Sequence, residues 1–258
     1  MRVTEPRLIE TIALGLVQGP AELLPVSSSA HIGVLPWALG WQHAELPGAA
    51  RKEVEVAFHA GTALALGRPR APIAVLAAAT VPPALAGLAF ERVVDSRLGT
   101  PRSIALGLLA GSAAMVLADR VPARRMADAV GLADGAALGV AQALALVPGV
   151  SRSGATRAAA RARGFTRPDA ALLSREVALP VLAGATALKG LRLARRRPSG
   201  ATLRALAGGA AAAALSTRAA LHVERSRAAG APLAAWAAYR TALAAAILVG
   251  TACQDRAR

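Results

Sequence analysis

The sequence predicts an all-α integral membrane protein, a polytopic helical bundle made of two inverted repeats, each with a re-entrant, broken helix hairpin. Three observations predict it. Mean hydropathy is +0.45, with 55% hydrophobic and 17% charged residues, which lies outside the soluble range. The apolar residues fall in runs near the length that crosses a bilayer. The stretch 13–31, ALGLVQGPAELLPVSSSAH, returns 124 positions later at 137–155 as ALGVAQALALVPGVSRSGA, identical at eight of nineteen places. Gln18/Gln142, Ser27/Ser151 and Ser29/Ser153 recur with the apolar positions, so alanine enrichment does not account for the match. In an apolar chain, paired repeats of this kind bring two interrupted helices together around one site near the bilayer midplane. The reading is a single membrane domain, 1–258, with repeat halves of roughly 1–125 and 126–258.

Four segments have the length and apolarity of full spans: 71–90, 103–118, 201–221 and 232–250. Four others, 8–24, 54–66, 132–147 and 177–194, are shorter or broken by Gly and Pro, and are read as spans or re-entrant hairpins. Aromatic residues are only 3%, which leaves thin interfacial belts at Trp37, Trp41, Trp236 and Tyr239. Residues 1–7 run directly into the segment that bears the first repeat copy and show no cleavable signal.

The formal charge of +15 would suggest nucleic acid in a soluble protein. Here the charge lies in short arginine clusters between apolar runs: Arg68 and Arg70, then Arg120, Arg124 and Arg125, then Arg195 to Arg197. That placement suits membrane loops and argues against a nucleic-acid partner. Because clusters follow several successive segments, charge alone assigns no orientation. The single cysteine, Cys253, excludes an internal disulfide and a cysteine-based metal site. No GxxxxGK[ST] pattern occurs, so a P-loop enzyme is not supported.

The two repeat copies differ where chemistry would need them to differ. In the first, Gln18 and Glu22 are four apart and share a helix face, Pro25 ends the pattern, and Ser27, Ser28, Ser29 and His31 follow. A carboxylate within an apolar segment costs several kcal/mol unless it faces a cavity, partner or ion. An unperturbed histidine titrates near neutrality, so a histidine at position 31 suits acid or base work. In the second copy Pro148 and Gly149 force a break, and Ser151, Arg152, Ser153 and Thr156 lead into a helix start. Backbone N–H groups, hydroxyls and a guanidinium in that order suit a phosphate. The competing structural reading has Arg152 bridging Glu22, and both readings predict that the loops meet.

Together, QGPAELLPVSSSAH and PGVSRSGAT resemble the two signature motifs of the undecaprenyl-diphosphate phosphatases, the bacitracin-resistance family of bacterial membrane proteins. The resemblance extends to VEVAFHAGTALAL at 54–66, LPVLAGATALKG at 179–190 and AAYR at 237–240. It implies hydrolysis of undecaprenyl diphosphate to the monophosphate, recycling the lipid carrier of cell-wall synthesis and conferring bacitracin resistance. It also implies a multi-pass protein of the bacterial cell membrane whose site faces the outer side. Carried over, it places the acidic motif on Gln18 and Glu22, the Ser and His positions on Ser27, Ser28 and His31, and the arginine motif on Ser151, Arg152, Ser153 and Thr156. The chain departs from the family pattern at Ala30, where Gly is usual, at Arg157, Arg161 and Arg163, and at Ser174-Arg175-Glu176. A charged pair inside a span is costly, so that helix is expected to begin near Val177, or the pair to be buried against partners.

The expected catalytic residues are therefore Glu22, Ser27, His31 and Arg152, with Gln18, Ser28, Ser151, Ser153 and Thr156 binding substrate. Arg152 and its hydroxyl neighbours hold the phosphates, Glu22 and His31 handle protons or a divalent ion, and Ser27 attacks or positions the attacking water. With Glu22 as the one intramembrane carboxylate of the motifs, a weak Mg²⁺ or Ca²⁺ site shared with the substrate is compatible and a zinc site is not. No organic cofactor is called for. Glu55 and His59, four apart, either line the cavity or make a structural polar contact. The partners are a lipid-linked diphosphate and membrane lipid, and a homodimer is left open. Two rivals remain. One is an inverted-repeat transporter or flippase for a lipid phosphate or anion. The other is a basic protein holding anionic lipid through its arginine clusters.

Overall fold

The computed structural model describes residues 5–225 and 229–256; residues 1–4 of the stretch read for a signal lie outside the described residues. Among the described residues the helices are α1 (Leu8–Leu23), α2 (Ser28–Ala38), α3 (Gly48–Leu66), α4 (Ile73–Arg97), α5 (Pro101–Asp119), α6 (Leu132–Leu144), α7 (Arg152–Ala162), α8 (Arg167–Arg195), α9 (Gly200–Val223) and α10 (Leu233–Arg256). Four are long and apolar enough to cross a membrane, over Ile73–Phe90, Pro101–Asp119, Arg167–Arg195 and Leu233–Cys253. The protein is all-α and multi-pass.

Three of these spans fall where the hydropathy placed them. The fourth does not. Segment 201–221 forms most of α9, but its Gly, Ser and Thr residues with Arg204 and Arg218 dilute it, and it is not among the four. The span is α8 instead, which starts ten residues before Val177 and carries Arg175 and Glu176 inside an unbroken helix. Of the two expectations for that pair, burial against partners is the one realised.

The chain forms two compact units, each drawing on early and late sequence. The first comprises Met1–Leu23, His31–Arg68 and Leu179–Val223; the second comprises Leu24–Ala30, Pro69–Ala178 and Glu224–Arg258.

In the first unit α9 packs on α1 and α3. Lipid tails are as apolar as leucine, so helix association in a membrane depends on close approach and on hydrogen bonds between helices. Small residues supply the first: a Cβ at Gly15 would stand 2.4 Å from Gly209 O, and one at Gly61 would stand 2.0 Å from Ala210 O. The second comes from Ser216 Oγ, which donates to Gly15 O at 2.9 Å, and from the buried Thr62–Thr217 hydroxyl pair at 3.2 Å. Leu14, Val54 and Phe58 are buried alongside.

In the second unit α5 packs on α7 and α10, and α6 packs on α4 and α7. Ala79, Leu138, Ala160, Phe165, Leu173 and Val177 form its apolar core. The arginines that departed from the family pattern are compensated here by carboxylates. Asp119, at the end of α5, accepts from Arg161 Nε and Arg167 Nε, both at 3.0 Å, and from the Leu233 N–H at 3.0 Å, tying four helix ends to one group. Asp134, in the first turn of α6, pairs with Arg125 and Arg163 and accepts the Gly131 N–H at 2.9 Å. Arg157 and Arg175 both pair with Glu224, which is fully buried. Glu176 accepts the N–H groups of Arg70 and Ala71 in the turn just ahead of α4.

Candidate active site

Both repeat copies fold as helix, break, helix. In the first, α1 ends at Leu23, a tight turn follows in which Val26 N donates to Leu24 O at 2.8 Å, and α2 begins at Ser28. In the second, α6 ends at Leu144, the chain is irregular through Val150, and α7 begins at Arg152. Immediately before each second helix stands a serine with left-handed backbone: Ser27 at φ 78° and Ser151 at φ 70°. These are matching positions of the repeat. A non-glycine residue held there costs on the order of 1–2 kcal/mol and persists where its surroundings over-determine it.

One contact recurs in both copies. Ser27 Oγ lies 3.1 Å from Ser29 Oγ, and Ser151 Oγ lies 3.3 Å from Ser153 Oγ. Ser151 Oγ also caps α7 by accepting the Gly154 N–H at 3.1 Å.

The two breaks belong to one unit and touch each other. Ser153 Oγ donates to Leu24 O at 2.8 Å, and the Gly149 N–H donates to Ser29 Oγ at 3.4 Å. Ser29 and Ser153 are equivalent in the repeat, so each copy's second serine reaches the turn of the other. The expectation that the loops meet is realised for Leu24–Ala30 and the arginine loop.

Arg152 is half-buried at the first position of α7, with Nη1 donating to Ser174 O at 3.1 Å. Thr156, one turn on and fully buried, places its hydroxyl 2.7 Å from Ser174 Oγ. The cradle therefore combines a guanidinium steered from α8, hydroxyls at Ser151, Ser153 and Thr156, and the amides that open α7. Ser153 Oγ gives its proton to Leu24 O and Thr156 Oγ to Arg152 O, both at 2.8 Å, so the guanidinium and the helix-start amides are the donors suited to a phosphate.

Gly149 makes the second break possible. Its φ is +93°, and a Cβ there would stand 2.1 Å from Ile104 O. Gly149→Ala is expected to destabilise the protein by about 3 kcal/mol through strain and overpacking, visible as a lowered melting temperature. Gly184→Ala, inside α8 where a Cβ meets nothing within 4 Å, should hold it or raise it slightly.

The acidic group lies in the first unit. Glu22 is buried, with Oε2 accepting from Gln18 Nε2 at 3.1 Å and standing 3.8 Å from His59 Nε2 on α3. Glu55 is exposed, so of the Glu55–His59 pair only the imidazole joins the polar cluster. Ser28 is half-buried at the start of α2, and His31, partly exposed, begins the part of α2 that belongs to the first unit. Gln142, the repeat partner of Gln18, serves the fold, since its Nε2 donates to Ala79 O at 2.9 Å and Val177 O at 3.2 Å.

Ser174, which steers Arg152, stands in the sequence among the departures from the family pattern, and Arg240 within the matching tetrapeptide 237–240. Its guanidinium is fully buried and donates to the turns of both breaks, at Pro25 O (3.4 Å) and Gly149 O (3.0 Å).

The family described as "Bacitracin resistance protein BacA" matches residues 11–67 and 68–246. A protein of Moorella thermoacetica named undecaprenyl-diphosphatase is 38% identical over 203 residues, 70% of this chain and 76% of that protein. One of the same name from Geobacter sulfurreducens is 37% identical over 236 residues, 81% and 85% of the two chains. A third, from Gemmatimonas aurantiaca, is 38% identical over 230 residues, 79% and 83%. With a family match across nearly its whole length and relatives covered this fully, the chain belongs to the bacitracin resistance protein BacA family.

Proposed function

We propose that this protein hydrolyses undecaprenyl diphosphate to undecaprenyl phosphate and inorganic phosphate, recycling the lipid carrier for cell-wall synthesis and thereby conferring bacitracin resistance. It does so in the bacterial cell membrane with its site open to the outer side. The single observation carrying this reading is the meeting of the two serine turns beside Arg152. A long isoprenoid tail belongs among lipid chains, and its diphosphate needs charge complementation inside a broken-helix site. Phosphoryl transfer is mainly positioning plus electrostatic stabilisation, and this loop pair supplies both.

In this reading Arg152, with Ser151, Ser153 and Thr156, holds the phosphates and offsets the charge that develops as the terminal P–O bond breaks. Ser27 attacks the terminal phosphorus or positions the water that does, with Ser28 as a further contact. Glu22 and His31 manage the protons: one leaves the nucleophile as its oxygen bonds to the terminal phosphorus, and undecaprenyl phosphate departs as the leaving group; where Ser27 is the nucleophile, water then cleaves the phosphoserine, releasing inorganic phosphate and restoring the hydroxyl. His59 stands beside that carboxylate, with Nε2 3.8 Å from Oε2.

The donor set at Gln18 and Glu22, one carboxylate and one amide, fits a hard Mg²⁺ or Ca²⁺ that takes its other oxygens from the substrate. When bound, such an ion supplies further neutralisation of the diphosphate.

Phosphate release by the detergent-purified protein from undecaprenyl diphosphate, with Arg152→Ala as control, tests the reading. Lipid or anion movement across vesicles without phosphate release would favour a transporter instead. Glu22→Gln keeps a partner for Gln18 but removes the charge, and is expected to lower kcat about 100-fold or more while the melting temperature holds. A Glu22→Gln variant of near-normal turnover would remove Glu22 from the chemistry.

A further inference from the structure

α10 is a membrane span with an arginine in its middle. Arg240 is fully buried, and among the described residues its five hydrogen bonds all go to uncharged oxygens. Nε donates to Ser112 Oγ at 3.1 Å and Nη1 to Pro25 O at 3.4 Å. Nη2 faces Leu108 O at 3.1 Å and the carbonyls of Gly149 and Val150, both at 3.0 Å. Burying a guanidinium at this depth is expensive, so a compensating role is expected.

That role is visible in what the guanidinium binds. Breaking two helices leaves carbonyls without intrahelical partners. Arg240 takes up Pro25 O from the first break and Gly149 O from the second, which are equivalent places in the repeat. Gly111 makes room for it, since a Cβ there would stand 2.4 Å from Nη2 and 2.7 Å from Val150 O. A trans peptide points its C=O and the following N–H in opposite directions. Holding Val150 O therefore turns the Ser151 N–H away from the guanidinium and fixes the plane in which the strained Ser151 stands.

We propose that Arg240 is a positioning residue of the active site, a single buried fork that sets both serine turns in register without touching substrate. The assignment rests on the hydrolase reading above. Lysine cannot replace the fork: a compact ammonium has three donors and no planar geometry with which to span both turns. A misplacement near 1 Å at a reacting group costs about 100-fold in rate.

The test uses the full chain purified in detergent, with phosphate release followed over a range of undecaprenyl diphosphate concentrations. Arg240→Lys is expected to lower kcat about 100-fold with KM within about threefold of wild type. Gly111→Ala keeps every charge and displaces the guanidinium, and is expected to act in the same direction. The Arg240→Lys/Ser151→Ala double variant should lose less than the product of the single losses, because both changes act through one turn. Three results overturn the proposal: a kcat within about threefold of wild type, losses that multiply independently, or a loss that merely tracks the folded fraction. Should Arg240→Lys fail to fold, unchanged kcat in folded Gly111→Ala overturns it by itself. Amide hydrogen exchange separates this proposal from the hydrolase reading. Even if wild type releases no phosphate, the variant that folds should exchange faster at both 24–30 and 147–153, and unchanged exchange there removes the clamp.

Discussion

Arg152→Ala is expected to abolish phosphate release by about 10³-fold or more, the largest effect of any single change at the site, with little loss of stability. The magnitude follows from what the residue does in the proposed reaction. An arginine that offsets charge on a transferring phosphoryl group is worth about 10³ to 10⁵ in rate. Arg152 is also pre-aimed: Nη1 is held on Ser174 O, and Ser174 is tied by its own hydroxyl to Thr156, so the guanidinium is ordered before substrate arrives. Less ordering then remains to be supplied at binding.

Arg152→Lys separates charge from geometry. The ammonium keeps the positive charge but cannot present two parallel donors to a phosphate, so most activity should still be lost. The expected pattern is a fall in kcat that exceeds any rise in KM, since the developing charge is greatest in the transition state. A lysine variant close to wild type would mean that Arg152 serves as a general positive field, and the cradle would have to be sought elsewhere.

What could be read from the sequence divides by range. The breaks were legible because their causes are local: Pro25 ends one helix, Pro148 and Gly149 another, and the serines repeat at a fixed offset. The left-handed backbone at Ser27 and Ser151 was not, because serine carries no propensity for it, and the hydrogen bonds that join the two turns link residues more than a hundred positions apart. Hydropathy put a span at α9 and missed the full length of α8 for a related reason. It charged Arg175 and Glu176 their full burial cost and could not see Glu224 or the amides of Arg70 and Ala71. His59 carried a local signal, four residues from Glu55, but which acid it would meet was a tertiary matter. Arg240 carried the plainest unused signal, an arginine in the middle of an otherwise apolar helix, which marks function or structure at a junction.

Glu224→Ala is expected to cost about 3–5 kcal/mol of stability, the consequence of taking one partner from a buried charge cluster. Glu224 is fully buried, Arg157 has 2% of its side chain exposed and Arg175 13%, so neither guanidinium can turn to water without moving its helix. The desolvation of two cations is then no longer offset by the carboxylate that both face, and the melting temperature should fall accordingly. Glu224→Gln, which keeps shape and an acceptor oxygen, should fall part of the way. The cluster's net worth is a separate quantity. Replacing buried ion pairs by apolar residues of similar volume is often neutral or stabilising. The Arg157→Met/Arg175→Met/Glu224→Met variant should therefore recover most of the stability that Glu224→Ala loses. Such recovery, beside a severe loss in the single variant, would show that these arginines are tolerated because they are paired rather than kept because they stabilise. A triple variant as unstable as Glu224→Ala would instead mean that the charges themselves hold α7 and α8 together. In that case the orientation of Arg152 and Thr156, on the same helix as Arg157, depends on them, and turnover should fall with the melting temperature.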